Sequence, residues 1–135
     1  LFAGGGVLGF MIMGSNTVIP AHYHGSIVGV TMALMGVVFM LLPRLGKPII
    51  LLRTAYWMPW LYGGGQMMHI TALAWSGGHG VKRKTSGEAQ GLESLQEIVG
   101  MAFMGLGGLI AVIGGVLFLL VVITALLKKT QVKNY

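Results

Sequence analysis

The sequence predicts an all-α integral membrane protein with four transmembrane segments, and three observations predict it. Only 9 % of the residues are charged and 55 % are hydrophobic, whereas ordinary soluble domains carry about 25 % charged residues. Apolar stretches with few or no charges reach the roughly 20 residues that a helix needs to cross a bilayer. Polar residues and two of the four prolines gather between those stretches, at Ser15–Thr17, Pro43–Pro48 and Ser76–Gly91.

The first apolar segment, Leu1–Met13, is rich in glycine and has neither a basic leading region nor a small-residue cleavage site. It does not read as a signal peptide. It reads as the end of a spanning helix, which makes the chain the C-terminal part of something longer or one piece of a split subunit. Ser15, Asn16 and Thr17 offer capping side chains for the second segment, Pro20–Leu42, and Pro20 suits its first turn. Pro43 and the Leu45-Gly46-Lys47-Pro48 stretch end that segment in a short turn. The third segment is Ile49–Trp75, where Pro59 predicts a kink and Gly63-Gly64-Gly65 a flexible point. Ser94-Leu95-Gln96-Glu97 has the capping-box pattern just before the fourth, Ile98–Leu127. As a helix that run is about 45 Å long, more than the hydrocarbon core of ~30 Å, so it must tilt or protrude.

Charge fixes the expected orientation. Four spans with short loops put Arg44, Lys47 and Arg53 on one side with Lys128, Lys129 and Lys133. The other side holds Lys82, Arg83 and Lys84 with all three acids, Glu88, Glu93 and Glu97. The excess of bases makes the first side cytoplasmic. His22 and His24 then lie near the outer face, and Trp57, Trp60 and Tyr62 are either interfacial anchors or inward packing. The basic triplet on the outer side goes against the rule locally and asks for an anionic partner, either lipid phosphate or the carboxylates of a buried cofactor.

With no cysteine, disulfides and thiolate metal sites are excluded, and histidine is the strongest metal ligand type present. There are four: His22, His24, His69 and His79. His22-Tyr23-His24 stands at the mouth of the second apolar run, where an ionisable side chain is costly and marks a functional site. On a helix, positions i and i+2 are about 200° apart, with about 3 Å of rise between them. Such imidazoles cannot easily share one metal, but they can serve two centres, one on each flank. Pore-lining or packing is the bland alternative. The small and aromatic neighbours Ala21, Tyr23, Gly25 and Ser26 favour a flat macrocycle approaching the backbone, and a neutral imidazole is what axial ligation of heme iron uses. No carboxylate lies within the spans, which argues against a transporter with an acidic relay.

The stretch from Val18 to Pro43, containing Ala21-His22-Tyr23-His24 and a glycine-bearing apolar run, resembles the tenth transmembrane helix of the catalytic subunit (subunit I) of heme–copper oxidases. Gly4-Gly5-Gly6-Val7-Leu8-Gly9 is similar to the Gly-Gly-x-x-Gly of helix nine. Trp75-Ser76-Gly77-Gly78-His79-Gly80-Val81-Lys82-Arg83-Lys84 resembles, more loosely, the Ser-Gly-Met-Pro-Arg-Arg loop between helices eleven and twelve. The likeness covers essentially the whole chain, from the end of helix nine through helix twelve, and implies a place in a larger bundle of about twelve helices.

Carried over by position, the resemblance implies that His22 is the axial ligand of a high-spin heme where oxygen is reduced. It implies that His24 is an axial ligand of the low-spin heme that donates electrons, with Tyr23 as the aromatic residue between them. Arg83 and Lys84, with Lys82 beside them, take the place of the arginines that pair with heme propionates; a lysine there gives a point charge without bidentate geometry. The activity implied is that of a respiratory terminal oxidase reducing oxygen to water with proton uptake, once assembled with the helices upstream. Two hemes of type a, b or o are implied, with copper held by residues outside this chain. The implied partners are the upstream part of the subunit or a split partner chain, other oxidase subunits, cytochrome c or quinol, and lipid, with no nucleic acid. The implied setting is a bacterial or archaeal cell membrane, with the heme end outward and the C-terminus cytoplasmic. Two departures stand out: Ser15-Asn16-Thr17 replaces a His-Asp pair associated with a non-redox metal, and the loop after the third segment is long. The alternatives are a nitric oxide reductase of the same superfamily, a cofactor-free accessory membrane subunit, and a transporter fragment.

Other residues read as structural. His69, three residues after Gln66, forms a polar pair between helices in preference to a proton path. His79 takes a surface or propionate-proximal role. Gly100, Gly105, Gly108 and Gly115 resemble a small-residue packing face, Glu93 and Glu97 an exposed helix start, and the ten methionines packing.

Overall fold

The computed structural model describes residues 1–85 and 87–128, so Lys129 and Lys133 of the orientation argument lie outside the described residues. The order is α1 (Phe2–Phe10), α2 (Val18–Arg44), α3 (Leu52–Gly78), a short 3-10 helix (Gly87–Gln90) and α4 (Leu95–Leu127). The described residues contain no strand, only an isolated antiparallel bridge between Asn16 and Lys82. The chain is all-α. Two of its helices, α2 and α4, are both long and apolar enough to cross a membrane. α1 has nine residues, about 13 Å, and is too short to span alone. α3 is as long as α2, but it carries Arg53, Gln66 and His69 among its glycines and aromatics, which lowers its mean hydropathy.

The helix ends follow local chemistry. Ser94 Oγ accepts from Glu97 N (3.2 Å) and Glu97 Oε2 from Ser94 N (3.1 Å), so the capping box forms. At α2 it is Asn16 that caps, its Oδ1 accepting from Val18 N at 3.0 Å. The Thr17 hydroxyl donates instead to Leu73 O of α3 (2.8 Å). α3 begins and ends three residues later than the apolar run suggested, so Ser76 belongs to the helix and is fully buried. The helix also continues through Pro59 and Gly63–Gly65 without interruption.

Those glycines serve packing. α3 and α4 are antiparallel and form the most extensive pair, in one register that brings Tyr62 to Gly114, Gly65 to Ala111, His69 to Gly107 and Ser76 to Gly100. A Cβ on Gly107 would sit 2.6 Å from His69 N, and one on Gly114 2.5 Å from Tyr62 N. Without side chains at these points the backbones touch, as association in an apolar medium requires. Gly105 is not part of the seam: a Cβ there meets nothing within 4 Å. The buried positions of α4, including Gly100, Gly107, Ala111 and Gly114, lie on its α3 side, while Phe103, Leu109, Val112 and Leu119 are exposed.

At one end of the helices the Lys47 ammonium donates to Leu126 O (3.0 Å) and Lys128 O (3.3 Å). It satisfies carbonyls that the end of α4 leaves unpaired and places a cation at the negative end of the helix dipole. Lys47→Met should therefore fray the last turn of α4 by about 0.3–1 kcal/mol. Hydrogen exchange in detergent reads this as faster amide exchange in that turn; unchanged exchange there would deny the contact any stabilising role. The basic triplet Lys82–Lys84 sits at the opposite end, beside the start of α2.

Candidate functional site

The two imidazoles of one turn of α2 contact different helices. His22 turns toward α1, where its Nδ1 lies 2.7 Å from Gly5 O. A carbonyl can only accept, so Nδ1 carries the proton and Nε2 presents a lone pair. Hydrogen-bonding one ring nitrogen to a backbone carbonyl is how metal-ligating histidines are fixed in tautomer and orientation. α1 closes on the ring through its glycines. A Cβ on Gly9 would be 2.9 Å from His22 Nδ1, and Gly5 packs on the backbone of Gly25 and Ser26.

His24 turns toward α3, where its ring meets that of His69 edge to face, with centroids 4.8 Å apart and planes at 67°. His69 donates from Nδ1 to Met104 O of α4 at 2.8 Å. The exposed side of His24 borders a shallow groove of about 280 Å³ with Tyr23, Ile27 and Val28. The separation of the pair follows from the i, i+2 spacing.

The small neighbours are used differently from the expectation. Ala21 is fully buried, and Gly25 is pressed between Gly5 and the Ile70 side chain. They bring α1 and α3 close to α2 at those two positions, so there the small residues serve helix packing. The open flank is that of Tyr23, which is 54 % exposed.

Tyr23 also borders a second groove of about 280 Å³, lined by Ile19, Pro20, Arg83 and Lys84. The basic loop is held there by three contacts: Thr17 N donates to Val81 O (3.1 Å), Asn16 bridges Lys82, and Arg83 Nε donates to Ser15 Oγ (3.0 Å). Lys84 takes a left-handed backbone with φ 60°. A lysine in that conformation is held by its surroundings. Of the triplet, Arg83 and Lys84 reach the groove beside Tyr23, whereas Lys82 is exposed and does not line it.

The remaining candidates separate clearly. His79 is exposed, donates from Nδ1 to Trp75 O (2.8 Å) and stacks on the Trp75 ring at 4.6 Å. Trp57 and Trp60 are exposed, whereas Tyr62 packs on α4 at Gly114. Among the described residues, Gln66 Oε1 is buried without a partner. Sequence reasoning paired His69 with Gln66 and missed its contact with His24. It also missed Gly5 and Gly9 as the surface that holds His22, although their i, i+4 spacing marks one helix face.

Among the described residues no cluster of three or more histidines or carboxylates could hold a metal ion. The site offers single imidazoles, a donor set suited to a metal that brings its own equatorial ligands, as iron porphyrin does. Arg83 and Lys84 add the cations that carboxylate substituents would need.

No protein-family model and no solved structure matches the chain. It is similar to an uncharacterized protein of Rickettsia prowazekii (strain Madrid E), 37 % identical over 129 residues, which covers 87 % of this chain and 25 % of that protein. The chain thus spans about a quarter of the length of this relative.

Proposed function

We propose that the chain is part of the catalytic subunit of a respiratory terminal oxidase of the heme–copper type, binding a high-spin heme at His22 and a low-spin heme at His24. The observation that carries this reading is the divergence of two imidazoles from one turn of α2, one braced on α1 and the other on α3. Supporting it are the protonated Nδ1 of His22, which leaves Nε2 for an iron, and the groove that joins Tyr23 to Arg83 and Lys84. In this reading α2 and α4 span the membrane together with helices from the rest of the subunit. The basic triplet lies toward the outer face, the Lys47 end toward the cytoplasm.

The bound hemes would supply the redox chemistry, passing electrons to oxygen, which takes up protons and leaves as water. The chain's own work is positional. Gly5 O fixes the tautomer and ring plane of His22. Gly9, by lacking a side chain, lets α1 lie against that ring. Tyr23 stands between the two imidazoles in sequence with its ring 5.3 Å from that of His22. Arg83 and Lys84 offer positive charge at the outer end. Because both ligands sit within about 3 Å along one axis, the path between centres is short.

The test is a density map of the assembled complex purified from its native membrane, with a pyridine hemochrome assay on the same sample. Two planar macrocycles flanking α2 at His22 and His24 are expected. Lipid or protein on those flanks would overturn the reading, and an assay without heme would favour a cofactor-free accessory subunit. Consumption of nitric oxide in place of oxygen would move the chain to the related reductase.

A further inference from the structure

His69 has no role in the reading above, yet its ring is held between α2 and α4. It stands on α3, where its ring is partly buried. Met104 O of α4 binds its Nδ1 at 2.8 Å. Two glycines of α4 clear the space around it: a Cβ on Gly107 would lie 2.6 Å from His69 N, and one on Gly108 3.2 Å from His69 Nδ1. The ring is therefore held from the α4 side by both a hydrogen bond and shape. Its other side meets His24 edge to face at 4.8 Å. His24 itself has no hydrogen bond to either ring nitrogen among the described residues, in contrast to His22, His69 and His79. An imidazole on an exposed flank, with no bond of its own, has a broad terminal torsion and so no fixed ring plane unless a neighbour sets it.

We infer that His69 is the positioning residue of His24: anchored to Met104 O, its ring sets the plane of the His24 imidazole and so the orientation of the low-spin ligand. The inference rests on the proposed function in one respect, the assignment of His24 as an iron ligand. Residues behind a metal ligand govern its direction and the electronic state of the metal. Ligand-plane orientation is visible in the electron paramagnetic resonance g values of a low-spin heme and in its midpoint potential, neither of which a merely structural role of His69 would move.

The experiment uses the full-length subunit in its assembled complex and compares three variants. His24→Ala tests the underlying reading alone: if both heme signatures survive, that reading fails whatever His69 does. His69→Asn keeps a donor in the place of Nδ1, and so the tie to Met104 O, but removes the ring that meets His24. It should retain two hemes per complex while shifting the g values and potential of the low-spin heme, with the high-spin heme unchanged. Unaltered g values and potential, or equal disturbance of both hemes, would overturn the inference. Where His69→Asn does not assemble, Gly108→Ala decides. Its methyl presses on the His69 ring without touching His24, and the same selective shift is expected, whereas an unchanged low-spin signature would overturn it.

Discussion

On the proposed reading, His22→Ala in the assembled complex should abolish the spectral signature of the high-spin heme and spare that of the low-spin heme; His24→Ala should do the reverse. The expectation follows from two neighbouring side chains serving different flanks, because His22 lies against α1 at Gly5 and His24 against α3 at His69. Oxygen consumption should fall by at least about 100-fold in each, since even changes behind a metal ligand cost about 10- to 100-fold. The fold should survive both substitutions. Neither ring is buried, and the seam between α3 and α4 involves neither residue. Optical spectra of the reduced complex, with heme quantified per subunit, read the outcome. Identical spectra for the two variants would remove the basis for assigning them to separate centres.

Gly107→Ala and Gly114→Ala should each destabilise the chain by about 1–3 kcal/mol, the usual cost of forcing an extra methyl into a packed interface. The nearest atoms to the new methyl are backbone: His69 N and Gly65 O for Gly107, and Tyr62 N and Cα for Gly114. A side chain could rotate away, but backbone yields only if the two helices separate. Gly105→Ala makes the control, because its methyl meets nothing within 4 Å. It should be neutral or stabilising by up to about 1 kcal/mol, since alanine favours helix over glycine. Thermal unfolding of the purified complex in detergent, followed by helical circular dichroism, separates these cases. Equal transition temperatures for Gly105→Ala and Gly107→Ala would rule out the seam as described.

The control also shows where the sequence was legible. The expectation that Gly100 packs agrees with the structure, whereas Gly105 faces open space and Gly107 and Gly114 carry the close contacts. α4 contains the doublets Gly107-Gly108 and Gly114-Gly115, and adjacent residues differ by about 100° on a helix. Composition says that each pair contributes to packing; only the partner's position says which member makes the backbone contact. The helices themselves were readable from apolar runs and capping residues, down to the Ser94–Glu97 box. So was the divergence of His22 and His24, because it depends on helical pitch alone. Contacts between helices were not. The meeting of His24 with His69 joins positions 45 apart, and nothing local encodes it. The small residues around the histidines were visible as small, but their occupation by Gly5 and Ile70 was not.

The fastening of the basic loop to the start of α2 has a mechanical consequence. Thr17 alone joins three parts: its amide holds Val81, its hydroxyl holds Leu73, and its carbonyl opens the helix at Ala21. The guanidinium of Arg83 and the imidazoles of α2 are therefore tied to the same helix start. The spacing between them is set by these shared bonds, so any ligand that touched both would have to match it or break one of them.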